Sequence, residues 1–136
     1  MSYFCYSQFY NYNILAKKQF KQKDSRNKKM KKITKEVYLQ WYEDMQFWRK
    51  FEDKLAAVYI QQKVRGFLHL YNGQEAVLAG AIHAMDLSKD KMITAYRNHV
   101  QPIAMGVDPK KVMAELYGKV TGTSKGMGGS MHIFSK

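Results

Sequence analysis

From Thr34 onward the apolar residues fall into a helical period. Tyr38, Trp41, Met45, Trp48, Leu55, Val58 and Tyr59 recur at three- and four-residue steps or their sum, with Tyr42 and Phe51 widening the stripe. The spacing predicts a long amphipathic helix that ends near Gly66. Thr34 is placed to cap its first free amides, Glu36 sits in the first turn where the dipole favours an anion, and Arg49 can pair with Asp53 one turn along. An aromatic stripe of this size needs a large covering surface, so it reads as core or subunit interface in preference to a ligand box.

A loop from Gly66 to Gly73 follows, then a second helix over Gln74 to Asp86 whose Ala76, Ala79, Gly80, Ala81 and Ala84 allow close backbone approach. Ser88 to Lys91 is a polar turn. Met92 to Ala95 reads as a short buried strand, ending in the polar cluster Tyr96, Arg97, Asn98 and His99. Pro102 lies one turn into a helix that runs to about Gly106. Asp108 caps another, with Pro109 at its first position and an end near Gly118. Gly122 to Lys136 is a Gly/Ser-rich loop. The expected class is α/β, with the portion present mostly helical around one short, parallel-type strand.

Composition changes this picture little, because 46% hydrophobic and 25% charged residues are those of a folding chain. Charge changes it more. The formal net charge is +12, but the first 32 residues carry nine of the basic side chains against Asp24 alone, a local +8. The body from Ile33 to Lys136 is only +4 and needs no polyanionic partner. Residues 1–32 are therefore expected to be a disordered basic extension, and residues 33–136 a single folded domain. Met30, followed by Lys31, Lys32 and Ile33, also has the look of a translation start. A basic helical module that binds nucleic acid through the lysine-rich arm is the reading from another class. Cys5 is the only cysteine, which excludes an intrachain disulfide and suits a reducing, cytoplasmic setting. No apolar run is long enough to span a membrane.

Candidate chemistry gathers at two places. Tyr96, Arg97 and His99 stand at the C-terminal end of the expected strand, where ligands bind in open α/β sheets. An arginine fork suits a phosphate or diphosphate, and a histidine can move a proton or offset an anion. His69 lies among apolar neighbours in Gly66-Phe67-Leu68-His69-Leu70, either as a satisfied structural histidine or facing a pocket that takes a small carboxylate. Gly126, Gly128 and Gly129 invite a phosphate-loop reading, but neither the Walker spacing nor the dinucleotide fingerprint is present. No metal-spaced histidine pair and no serine-based triad is expected.

Four blocks then combine: Gly66 to Ala76 (GFLHLYNGQEA), Ile93 to His99 (ITAYRNH), Asp108-Pro109 with Val112 to Leu116, and Ser124 to Lys136 (SKGMGGSMHIFSK). In this order they resemble the alpha subunits of thiamine-diphosphate-dependent 2-oxo acid dehydrogenases. Lys125 to His132 is closer to the pyruvate and acetoin members than to the branched-chain ones, and Phe134-Ser135-Lys136 favours pyruvate. The resemblance implies an α/β thiamine-diphosphate fold and a heterotetramer with a beta subunit. It also implies decarboxylation of pyruvate with transfer of the two-carbon unit to a lipoyl group on the acetyltransferase of a complex, leading to acetyl-CoA. Tyr96 and Arg97 would contact the diphosphate, with Phe67 also on the cofactor. His69 and Tyr96 would line the substrate side, and His69 and His99 are the catalytic candidates. Neither nucleic acid nor membrane is an expected partner. The family holds magnesium with a Gly-Asp-Gly motif and a later asparagine. No Gly-Asp-Gly occurs in these 136 residues, so the metal ligands are expected beyond Lys136 and the chain is expected to be an N-terminal fragment, inactive alone.

Overall fold

The helical period from Thr34 is realised as α1 (Lys35–Ile60), which turns Trp48, Phe51, Leu55 and Val58 into the core. Leu55 is fully buried, and each such aliphatic side chain contributes roughly 1.5–3 kcal/mol. The other helices are α2 (Glu75–Ala84), α3 (Val100–Ala104) and α4 (Pro109–Leu116). This is a computed structural model, and it describes residues 33–135. The expected basic extension, residues 1–32, lies outside the described residues. α1 packs on α2 and α3, and α3 also packs on α2 and α4. Between them sit Leu78, Val100, Val112 and Leu116, with Val64, Tyr71 and Ile133 supplied by the connecting segments.

The helix ends follow local chemistry. α1 stops before Gly66 because Gln62 takes a left-handed φ of 58°, with Lys63 N–H donating to the Val58 carbonyl and Gln62 N–H to that of Tyr59. That is a Schellman closure, with glutamine where glycine is usual. Tyr59 then donates its hydroxyl to the Gly66 carbonyl, which folds the next turn back on the helix. α4 ends in the same way at Gly118, whose φ is 66°. Asp108 caps α4 as expected, accepting from Lys110 N–H at 2.8 Å with Pro109 at the first position.

Other expectations are corrected. Thr34 precedes α1 but makes no side-chain cap to its amides. Arg49 does not turn to Asp53. It forms a two-point bond to Glu75 at the start of α2, at 2.6 and 3.0 Å, and Asp53 instead accepts from Asn72. A partner on another helix allows the planar fork to be matched, which a single-turn neighbour rarely does. Tyr38 and Tyr42 are 60% exposed and Trp41 and Met45 only partly buried, so the stripe is fully buried only in its second half. Among the described residues there is no strand. Met92 to Ala95 is without regular structure, and Ile93 is 99% exposed. A strand requires a neighbour for its ladder, and none of the described segments offers one.

Candidate functional site

Two loops place the candidate side chains. The first leaves α1 through the turn at Gly66 and is fixed at either side by buried Val64 and Tyr71, which brings half-buried His69 to the surface between them. The second descends into α3, where Asn98, His99 and Val100 are buried and Tyr96 is half exposed. The His69 and Tyr96 rings meet edge to face with centroids 4.6 Å apart. Arg97 holds its guanidinium carbon 5.7 Å from the centre of the Tyr96 ring and donates to the carbonyl of Leu70, next to His69. His69, Tyr96 and Arg97 therefore form one patch. Phe67 is 75% exposed and, among the described residues, shares no ring contact with them.

The patch is suited to an anion. Among the described residues Arg97 has no carboxylate partner, and only one of its nitrogens is engaged by Leu70. Its remaining donors form the planar fork that fits phosphate or carboxylate, and the Tyr96 ring, itself packed on His69, lies beside it. An anionic group with planar or tetrahedral oxygens is the ligand chemistry that such a fork can take. Among the described residues no three His, Cys, Asp or Glu side chains cluster as a metal site would require.

His99 sits behind this patch. It is fully buried, with Nδ1 at 3.0 Å from both carboxylate oxygens of Glu52 and Nε2 at 2.7 Å from the Ser130 hydroxyl. A carboxylate–imidazole–hydroxyl chain therefore exists, contrary to the expectation that no serine-based triad could form. Ser130 is 5% exposed and Glu52 1%, so no substrate reaches this hydroxyl as the residues are arranged. Glu52 lies four residues after Trp48 and three before Leu55, inside the apolar stripe of α1. A carboxylate in a core register was the signal that could have disclosed it.

The Gly-rich loop is organised by an anion of its own. Glu115, fully buried near the end of α4, accepts from the backbone N–H groups of Ser124, Gly126, Gly128 and Gly129 at 2.7–3.3 Å. Burial alone would raise the Glu115 carboxyl, but the N–H groups of Gly126, Ser124, Gly128 and Gly129 outweigh it and hold it below the usual range. Amides that a phosphate loop would aim outward are here turned inward. The glycines permit this: a Cβ on Gly128 would collide with the His132 carbonyl, and one on Gly126 with the Gly118 backbone. Glu75 behaves alike, since burial pushes it up and the stronger opposing pull of the Arg49 bond and the Gly73 amide brings it down. A cleft of about 770 Å³ opens elsewhere, lined by Asp108, Lys111, Thr121 and Phe134 among others, and contains none of the patch residues. No described helix is long and apolar enough to cross a membrane.

Comparison with known proteins gives the patch its context. Residues 43–136 match the family model described as dehydrogenase E1 component. The chain is 51% identical over 116 residues to the pyruvate dehydrogenase E1 component subunit alpha-3, chloroplastic, of Arabidopsis thaliana, covering 85% of this chain and 27% of that protein. It is 54% identical over 103 residues to the pyruvate dehydrogenase E1 component subunit alpha of Porphyra purpurea, covering 76% and 30%. The corresponding subunit of Rickettsia bellii is 47% identical over 103 residues, covering 76% and 31%. The chain spans less than a third of the length of these relatives.

Proposed function

The chain belongs to the dehydrogenase E1 component family, and from that premise we propose that it forms the front part of the alpha-subunit side of a pyruvate dehydrogenase active site. The reaction is oxidative decarboxylation of pyruvate with transfer of the acetyl unit to a lipoyl group, carried out together with a beta subunit and the acetyltransferase of the complex. The observation that carries this reading is the convergence of His69, Tyr96 and Arg97 in a chain of this family.

Arg97 binds the diphosphate of the cofactor through its free donors, and Tyr96 supplies a hydroxyl at the same place while its ring shields the guanidinium from water. His69 faces the substrate, where an imidazole can hold or yield a proton beside a carboxylate. Phe67 lends an apolar surface to the cofactor. Thiamine diphosphate, when bound, supplies the nucleophilic carbon and the electron sink. No step here rests on magnesium. The single cysteine suits a reducing compartment. The cytoplasm is the expected one, and the chloroplastic relative makes an organelle stroma the alternative result of a localisation experiment.

The test is to co-express the polypeptide as its gene encodes it with the cognate beta subunit and to follow pyruvate-dependent reduction of an artificial electron acceptor. Activity that requires thiamine diphosphate, and that exceeds the rate with acetoin or branched-chain 2-oxo acids, is the expected result. A preference for one of those substrates would replace pyruvate, and no activity with any of them would refute the proposal.

A further inference from the structure

The buried Glu52–His99–Ser130 chain lies outside the patch that the proposed reaction uses, yet it joins three separate parts of the molecule. Glu52 belongs to α1, His99 to the turn that carries Tyr96 and Arg97 into α3, and Ser130 to the Gly-rich loop. A carboxylate accepts, so Nδ1 donates to Glu52, and Nε2 shares a hydrogen bond with the Ser130 hydroxyl. The imidazole orientation is thereby determined from both sides.

That orientation bears directly on the patch. His99 is two residues after Arg97, with Asn98 and Val100 buried on either side of it, so the backbone at Arg97 leaves from an anchored point. Buried Gln101 adds to the hold by donating to the Arg97 carbonyl at 2.6 Å. On the other flank Met92 packs only partly against the core and Ile93 is 99% exposed. The backbone at Arg97 is therefore set chiefly from the buried end, while the guanidinium is also held by the Leu70 carbonyl.

We infer that Glu52 is a positioning residue for the cofactor: through His99 it couples the Gly-rich loop at Ser130 to the Tyr96–Arg97 pair and fixes the fork in its diphosphate-binding direction. This rests on the reading of Arg97 given above. Glu52 and Ser130 act through one imidazole, so removal of either releases the same element. Their effects on cofactor binding should then fall well short of additive.

The experiment uses the alpha polypeptide as encoded, assembled with its beta subunit, and titrates thiamine diphosphate into wild type, Glu52→Gln, Ser130→Ala, the double variant and Arg97→Ala. Each single variant of the chain should raise Kd about tenfold, the scale on which a group that orients a ligand-binding residue usually acts, and the double variant should be no weaker than Glu52→Gln. At saturating cofactor kcat of Glu52→Gln and Ser130→Ala should fall by less than their Kd rises, because the side chains of His69, Tyr96 and Arg97 are unchanged. Should Glu52→Gln fail to assemble, Ser130→Ala alone decides, since it removes one hydroxyl without adding volume. Unchanged Kd in assembled Ser130→Ala, or additive losses in the double variant, overturns the coupling. Unchanged Kd in Arg97→Ala overturns the diphosphate reading instead, so the two failures are distinguishable.

Discussion

Replacing Glu115 by glutamine tests whether the Gly-rich loop is held by one internal anion. The carboxylate is fully buried and accepts four backbone N–H bonds, two on each oxygen. Glutamine keeps one acceptor oxygen and presents an NH₂ group to the other pair of amides, so two donors face two donors. Hydrogen bonds to a charged group are worth about 1.5–3 kcal/mol each, and the loop is only half buried, so water recovers part of the loss. A destabilisation of about 3 kcal/mol is expected for Glu115→Gln, with the loop released before the helices. Equilibrium denaturation of the assembled protein measures the first quantity. Limited proteolysis with a lysine-specific protease measures the second, because Lys119 and Lys125 lie in the segment concerned. A midpoint within experimental error of wild type, together with unchanged cleavage at those lysines, would refute the argument that Glu115 organises the loop.

Three further outcomes follow from the same structure. Gly128→Ala should disrupt the loop as severely as Glu115→Gln, because its Cβ would meet the His132 carbonyl and backbone cannot step aside; the same proteolysis assay reads it. Leu55→Ala, at the fully buried centre of α1, should cost about 2–5 kcal/mol in denaturant titration. Stability should also fall in acid. Glu75 and Glu115 both have folded-state values below the ordinary glutamate value of 4.5, so their contribution is fully present above that value and is lost as pH drops through the lowered ones. Glu115→Gln should flatten that acid limb in a pH series of unfolding midpoints, and an unaltered slope would contradict the assignment.

Much of the helical framework was legible because it depends on near neighbours. The period from Tyr38 to Tyr59 identified α1, and the Asp108-Pro109 pair marked the start of α4 through a cap that involves only adjacent residues. The length of α1 was overestimated because Gln62 closes the helix in a conformation usually left to glycine. The strand at Met92 to Ala95 was misjudged for a different reason, since a run of four apolar and β-branched residues has the composition of a strand but cannot form one without a paired neighbour. At the site, sequence order brought Tyr96, Arg97 and His99 together as a group, but only tertiary structure separates them into an open pair and a buried support. Glu52, Glu115 and Ser130 were not singled out, because a carboxylate or hydroxyl in the core is defined by partners at 47, 9 to 14 and 31 residues' distance along the chain.

The central claim is that Arg97, held against Tyr96 beside His69, binds the diphosphate of the cofactor. It is tested most directly by calorimetric titration of the assembled protein with thiamine diphosphate and with thiamine, in wild type and Arg97→Ala. The account predicts that wild type prefers the diphosphate strongly and that Arg97→Ala loses at least about tenfold of that preference, or 1.4 kcal/mol, while thiamine itself binds equally to both. An undiminished preference for the diphosphate in correctly assembled Arg97→Ala would contradict it.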